Sequence, residues 1–260
     1  MDKNIFKVKG TYVNGQWFNS KNTYEVFNPS NGEKLSDVPI SDKKELELAV
    51  ESAKKAQAIW SKTSLIERVK CLEELSKKIS EKEEEFALID SYDSGNALTG
   101  MRKDVKETVN NIRYFCGLVR EVKGETFSME KNHLNFTRYQ PYGVVLKINP
   151  FNHPFRFCVE KIAAPLLMGN SLIIKNSEQA PISSLRFCEL LGDIFPKGLI
   201  NVVTGGPDNG KFLVEHPDIK RIAVIGSVNT GIAIAKSAAP FLKNISLELG
   251  GKNPIIVFDD

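Results

Sequence analysis

Lys175 and Glu178 stand three residues apart in KNSE, directly after the apolar run SLII. A lysine and a carboxylate so placed could hold the two hydroxyls of a ribose, and the carboxylate would repel a 2′-phosphate. The alternative is a capping carboxylate in the first turn of the next helix beside a solvated lysine. In NPFNHP (149–154) two prolines rule out an immediate regular helix and leave Asn149 and Asn152 in a turn. The Asn152 amide either satisfies turn backbone or donates a hydrogen bond into a cleft. GGPDNG (205–210) and GSVNTG (226–231) are glycine turns. Such turns can present backbone N–H groups to phosphate at a helix N-terminus, although tight strand-to-helix turns also need glycine for steric reasons alone. Finally, LELGG (247–251) sets Glu248 between two leucines and follows it with two glycines. In a strand, Ser246, Glu248 and Gly250 share one face, so the acid points to solvent, as on an edge strand, or to a cleft. The paired glycines would let a ligand approach the backbone closely.

These residues need strands that end beside them. VVLKI (144–148), SLIIK (171–175), INVVT (200–204), RIAVI (221–225), ISLEL (245–249) and PIIVF (254–258) are β-branched runs of strand length. About 20 residues separate successive members of the first four, enough for the helix that a parallel crossover demands. This pattern predicts an α/β fold with a doubly wound parallel sheet, whose ligands lie beyond the carboxyl ends of the strands. Before it, residues 42–123 read as helical. Ser41 and Asp42 give a cap signal, Leu46, Ala49, Val50, Ala53 and Ala56 keep helical spacing, and one or two further helices end near Gly95. Residues 101–120 add another. The alternation in NHLNFTRYQPYG (132–143) predicts an antiparallel strand outside the main sheet.

Composition narrows the partners. The 260 residues are 42% hydrophobic and 26% charged, within the globular range, and 35 basic against 32 acidic residues leave a net charge of only +3 without a basic block. That argues against nucleic acid as the partner. No apolar run approaches the roughly 18–20 residues of a membrane span, and MDKNIFKVKG lacks the apolar core of a secretory signal, so a soluble, cytoplasmic protein without a membrane partner is expected. Cys71, Cys116, Cys158 and Cys188, like His133, His153 and His216, are scattered without metal-ligand spacing. No metal is expected, and the cysteines read as small buried apolar residues.

PYGVVLKINPFNHP, APLLMGNSLIIKNSEQAP, GLINVVTGGPDNG, HPDIKRIAVIGSVNTG and LELGGKNPIIVFDD resemble, in order and spacing, the motifs of the NAD(P)-dependent aldehyde dehydrogenase superfamily. VNGQWFNS, VFNPSNGE and AKKAQAIW resemble its opening segment. The resemblance implies that Asn152 donates to the oxyanion formed when a thiolate attacks an aldehyde. It implies that Glu248 activates the water that hydrolyses the thioester left after the thiohemiacetal gives its hydride to NAD(P)+, with mobility from its glycines and partial desolvation from its leucines. Lys175 and Glu178 match the adenosine-ribose residues, Gly226 and Ser227 the pyrophosphate turn, and Gly206 and Gly210 the adenine-side loop. Ile148, Pro150 and Phe151 match the wall along the cofactor, with Leu249 a further cofactor contact. NAD is expected in preference to NADP, a small aldehyde as substrate, and a homodimer or homotetramer as the parent assembly.

The same likeness divides the chain into an N-terminal helical part of the cofactor-binding domain (1–124), a small β oligomerisation extension (125–142) and a Rossmann-like NAD-binding part (143–260). Four positions depart from the family pattern: Asn176 replaces the usual proline, Val224 and Ile225 the usual Phe-Thr, and Phe151 a frequent tryptophan. The family nucleophile is a cysteine in a Gly-Gln-x-Cys-like stretch placed after the segment matched by IIVFDD, and the 260 residues end at Asp260. The expectation is a cofactor-binding portion without the nucleophile and the remaining catalytic domain. A non-catalytic NAD-binding module and a structural or assembly protein are the alternatives.

Overall fold

Residues 3–251 and 253–259 are described by the computed structural model; Lys252 and Asp260, which belong to the last quoted motif, lie outside them. Four short strands open the chain, where the sequence pattern predicted none. β1 (Thr11–Val13) and β2 (Gln16–Phe18) form a hairpin, as do β3 (Thr23–Phe27) and β4 (Lys34–Pro39). The first hairpin turns at Asn14 and Gly15, with φ of 52° and 72°, the Asn-Gly geometry that matches the twist of two antiparallel strands.

Four helices follow. α1 (Lys43–Trp60) starts where the Asp42 side chain accepts from Glu45 N at 2.8 Å, as its cap signal predicted. α2 (Leu65–Glu81) opens on a Ser64–Glu67 capping box, α3 (Glu83–Ser94) ends at Gly95 in the left-handed region, and α4 (Leu98–Leu118) completes the set. Next comes an exposed hairpin, β5 (Thr126–Glu130) with β6 (His133–Phe136). The strand expected in 132–143 is therefore β6, and its partner is the segment just before it.

The remainder alternates strand and helix: β7 (Val144–Ile148), α5 (Pro154–Val159), α6 (Ala163–Leu167), β8 (Ser171–Lys175), α7 (Ile182–Phe187), β9 (Ile200–Val203), α8 (Pro207–Glu215), β10 (Ile219–Ile225), α9 (Val228–Ala238) and β11 (Asn244–Glu248). The sheet order is β11-β10-β7-β8-β9-β1-β2. The five strands from β11 to β9 run parallel, and β1 and β2 extend the edge antiparallel. The chain winds from β7 outward to β9, then returns to β10 on the other side, so a switch point lies between β7 and β10.

Both faces of the sheet are covered, and successive strand residues point to opposite faces. Val144, Leu146 and Ile173 pack with Leu46, Ala49, Val50 and Ala53 of α1, and with residues of α8 and α9. Val145, Leu172 and Ile174 face the larger core made with α2 to α7.

One expected strand is absent. Residues 254–258 (PIIVF) form no ladder, and the side chains of Ile255, Ile256, Val257 and Phe258 are exposed. β-branched residues favour an extended chain, but a strand exists only through its hydrogen-bonded partner, and among the described residues β11, at the sheet edge, pairs with β10 alone.

Candidate functional site

A cleft of about 550 Å³ opens at the carboxyl ends of β7, β8 and β10, at the switch point. Ile148, Pro150 and Phe151 form one wall, and Lys175 and Glu178 the next. Gly210 of α8 lies opposite, and Gly226 and Ser227 close the side toward β11.

Lys175 is the last residue of a fully buried strand, and its side chain is itself largely buried. Desolvation lowers its pKa, against the nearby Glu178 charge, which raises it. Glu178 does not cap α7: the helix begins four residues later, with Pro181 as its N-cap residue and no side-chain cap. The carboxylate instead lies against Gly206, where an added Cβ would come within 3.5 Å of Glu178 Oε1. Gly205 makes this turn possible. Its φ is +121°, and a Cβ there would stand 2.4 Å from Asn209 Nδ2, which donates to the carbonyls of Ser41 and Thr204 at 2.7 and 2.9 Å.

On the other side, Ser227 N-caps α9 by accepting from Thr230 N at 3.2 Å, and Gly226 N donates to the Glu248 carbonyl at 3.1 Å. The eleven-residue α9 therefore points its positive end at the cleft. The helix face that lines the cleft, Thr230, Ala233, Ile234 and Ser237, escaped the sequence reading. Its signal is visible in hindsight as small residues at i, i+3 and i+7.

Asn149 is buried and donates to Asn176 Oδ1 at 2.8 Å. The asparagine that replaces the usual proline at 176 thus ties the ends of β7 and β8 together. One residue before the cleft wall, Lys147 is fully buried and donates to the carbonyls of Phe157 and Cys158 at 2.9 and 3.2 Å. Burial lowers its pKa to about 8.

Four expected residues stand outside the cleft lining: Gly206, which lies against the Glu178 carboxylate, and Asn152, Glu248 and Leu249. Asn152 is exposed just beyond Phe151, with its carbonyl accepting from Asn96 Nδ2 at 2.7 Å. Glu248 ends the edge strand β11, its side chain 62% exposed and paired with Lys161. The desolvation expected from its leucines does not occur, because Leu247 is exposed and Leu249 turns away to pack on Gly231 of α9, where an added Cβ would lie 2.6 Å from Leu249 Cδ1. Leu249 thus braces α9 from behind.

None of the four cysteines lines the cleft, although Cys158 lies just behind it beside Lys147 and Asn176. Burial pushes the Cys116 and Cys158 thiols up to about 11 and Cys188 well above its ordinary value, while the half-buried Cys71 is raised by the same cause. All four are thiols at neutral pH, the unreactive form. Among the described residues no group of three or more His, Cys, Asp or Glu side chains is placed to hold a metal ion, and no helix is long and apolar enough to cross a membrane.

A doubly wound sheet with a largely apolar cleft at its switch point, approached by glycine turns and a helix N-terminus, is a Rossmann-like nucleotide-site architecture. The chain belongs to the aldehyde dehydrogenase family, whose model matches residues 17–260. It is 36% identical over 254 residues to the aldehyde dehydrogenase tropH of Talaromyces stipitatus, covering 96% of this chain and 49% of that protein. It is 38% identical over 243 residues to 4-trimethylaminobutyraldehyde dehydrogenase of Rattus norvegicus, covering 92% and 48%. Among solved structures, a betaine aldehyde dehydrogenase of Staphylococcus aureus in complex with NAD+ superimposes with a TM-score of 0.93 at 34% identity, covering all of this chain and 53% of that one. An aldehyde dehydrogenase from Bacillus cereus in its NAD+ complex gives 0.91 at 32% identity, covering 98% and 53%. The chain spans about half the length of these relatives.

Proposed function

We propose that the cleft holds NAD and that the protein serves the oxidation of an aldehyde to a carboxylic acid. The observation that carries this reading is the Lys175–Glu178 pair at the end of β8, with Gly206 against the Glu178 carboxylate and Gly210 against the Lys175 side chain. A side chain at Gly206 would fill the space beside Glu178, so the cradle suits a ribose and its base.

Lys175 and Glu178 would hold the adenosine ribose, Gly206 and Gly210 the adenine side, and Gly226 with Ser227 the pyrophosphate. Ile148, Pro150 and Phe151 would line the path toward the reacting end, with Leu249 behind α9. Glu178 disfavours a 2′-phosphate and so selects NAD over NADP. NAD, when bound, supplies the hydride acceptor. Asn152 donates its amide N–H to the aldehyde oxygen as negative charge grows there. Glu248 takes a proton from the attacking water and must part from Lys161 to do so.

None of the four cysteines has the character of a nucleophile, so the 260 residues alone bind the dinucleotide without turning over aldehyde. That same observation favours the second reading, an NAD-binding module without chemistry. Residues 1–124 and 143–260 then form the cofactor-binding unit. Residues 125–142 form an oligomerisation extension for a homodimer or homotetramer, supported by the exposed Met129, Leu134 and Phe136 on its hairpin. The substrate is a small aldehyde and the location cytoplasmic.

In an aldehyde-oxidising form of the protein, Asn152→Ala and Glu248→Gln each lower kcat by about 100-fold. In this chain both leave NAD affinity within about twofold, since they act on the substrate side. Normal turnover in either variant removes that residue from the mechanism.

A further inference from the structure

We propose that Asp90, Asp93 and Asn96, at the end of α3 and just beyond it, are positioning residues that set Glu178 and Asn152 in register with each other. The inference rests on the NAD reading and deepens it.

The three residues are spaced three apart in DSYDSGN, which places the two acids on one face of α3. Each meets a segment that leaves a different strand. Asp93 Oδ2 accepts from Ile182 N at 2.9 Å, at the first residue of α7 and four residues beyond Glu178. Asp90 Oδ2 accepts from Phe155 N at 2.9 Å, three residues beyond Asn152. Asn96 Nδ2 donates to the Asn152 carbonyl itself at 2.7 Å. The grip is internally braced: Ser91 Oγ donates to the Asn96 carbonyl at 2.8 Å, Ser94 Oγ to the Asp90 carbonyl at 2.6 Å, and Asn96 Nδ2 to Ser94 Oγ at 2.9 Å. Phe86 of α3 stacks on Phe155 with centroids 4.3 Å apart, which fixes the height of α5 against α3.

Asp90 and Asp93 are almost wholly buried, at 1% and 2% exposure. Among the described residues, Asp93 Oδ1 and the nearby Tyr24 hydroxyl have no hydrogen-bond partner. Burial, then the Glu178 and Asp93 charges, raise the tyrosine pKa, so the Tyr24 hydroxyl lies near both carboxyls. Stability alone would favour an apolar side chain over a buried carboxyl with an orphaned oxygen. A group that fixes the start of α7, and with it the reach of Glu178, has a reason to be there.

The test is calorimetric titration of the 260-residue chain with NAD and with NAD lacking the adenosine 2′-hydroxyl, for the unaltered protein and for Asp93→Asn, Asp93→Leu, Asp93→Ala and Asn96→Ala. The unaltered chain prefers NAD by about tenfold, the worth of one charge-assisted hydrogen bond. Asp93→Asn keeps an acceptor for Ile182 N and keeps that preference. Asp93→Leu, which fills the buried space without an acceptor, binds both ligands within about twofold of each other, because Glu178 no longer reaches the hydroxyl. Asp93→Ala repeats that result should the leucine not fold. Asn96→Ala, acting on Asn152, retains the tenfold preference. A lesion of stability alone would weaken both ligands equally and leave their ratio untouched. A tenfold ratio surviving in Asp93→Leu or Asp93→Ala overturns the positioning role while NAD binding stands. An unaltered chain that binds neither ligand overturns the NAD reading and this role together.

Discussion

The segment that follows β7 and the end of β11 each carry one of the two proposed catalytic side chains in exposed positions, yet they are held very differently. Beyond β7, Asn152 sits on a stretch gripped at almost every residue. Its carbonyl is bound by Asn96, the His153 ring meets Asp104, Phe155 N is taken by Asp90, and Arg156 pairs with Asp104, Glu107 and Glu160. At the end of β11, Glu248 has its carbonyl tied to Gly226 and its carboxylate paired with Lys161, and the described residues after it have no regular structure. An oxyanion donor works by being fixed before charge develops, whereas a base that must meet water gains from freedom. Placement of the first is built into the buried core, and placement of the second is left to the surface.

If that contrast holds, the largest effect comes from beneath Asn152. Phe155→Ala removes a fully buried ring stacked on Phe86 and packed edge-on to Phe187, and it costs about 3–5 kcal/mol of unfolding free energy by urea titration. A loss below about 1 kcal/mol would mean that the gripped segment is not part of the core.

Next in size is a pH effect at Asp90. Burial pushes its carboxyl from the usual 3.8 up to about 7; the Phe155 amide opposes the rise, the Asp104 charge adds to it and His153 offsets it. The folded chain therefore keeps this proton where the unfolded chain has lost it. Its contribution to stability is full below about pH 4 and is lost as pH rises toward 7, a change of roughly 2–4 kcal/mol. Asp90→Asn removes that fall, so its stability relative to the unaltered chain improves between about pH 4 and pH 7. Parallel pH profiles for the two proteins would place the titration elsewhere.

The smallest effect belongs to the other segment. Glu248→Gln breaks only an exposed ion pair and changes unfolding free energy by no more than about 0.5 kcal/mol. A loss of several kcal/mol would show Glu248 to be as firmly held as Asn152.

Much of this was legible in the sequence. The five β-branched runs from 144 to 249 became the parallel strands, and the polar and glycine residues just behind them became the cleft, because a parallel sheet with both faces covered writes its strands as apolar runs and its site into the turns that follow. The three-residue strands β1 and β2 are too short to show alternation, although the Asn14–Gly15 turn marked them. PIIVF was misread because β propensity specifies an extended chain and not a partner. Asp90 and Asp93 passed unnoticed because an acid in an amphipathic helix reads as solvated until the packing neighbours of that helix are known.

The most direct test of the central claim is a pair of calorimetric titrations of this chain, with NAD and with NADP. Binding of NAD with at least about tenfold preference, reduced toward parity in Glu178→Ala, is the result expected of a cleft that reads the ribose through Lys175 and Glu178. Equal affinity for both nucleotides, or a preference untouched by the substitution, would contradict it.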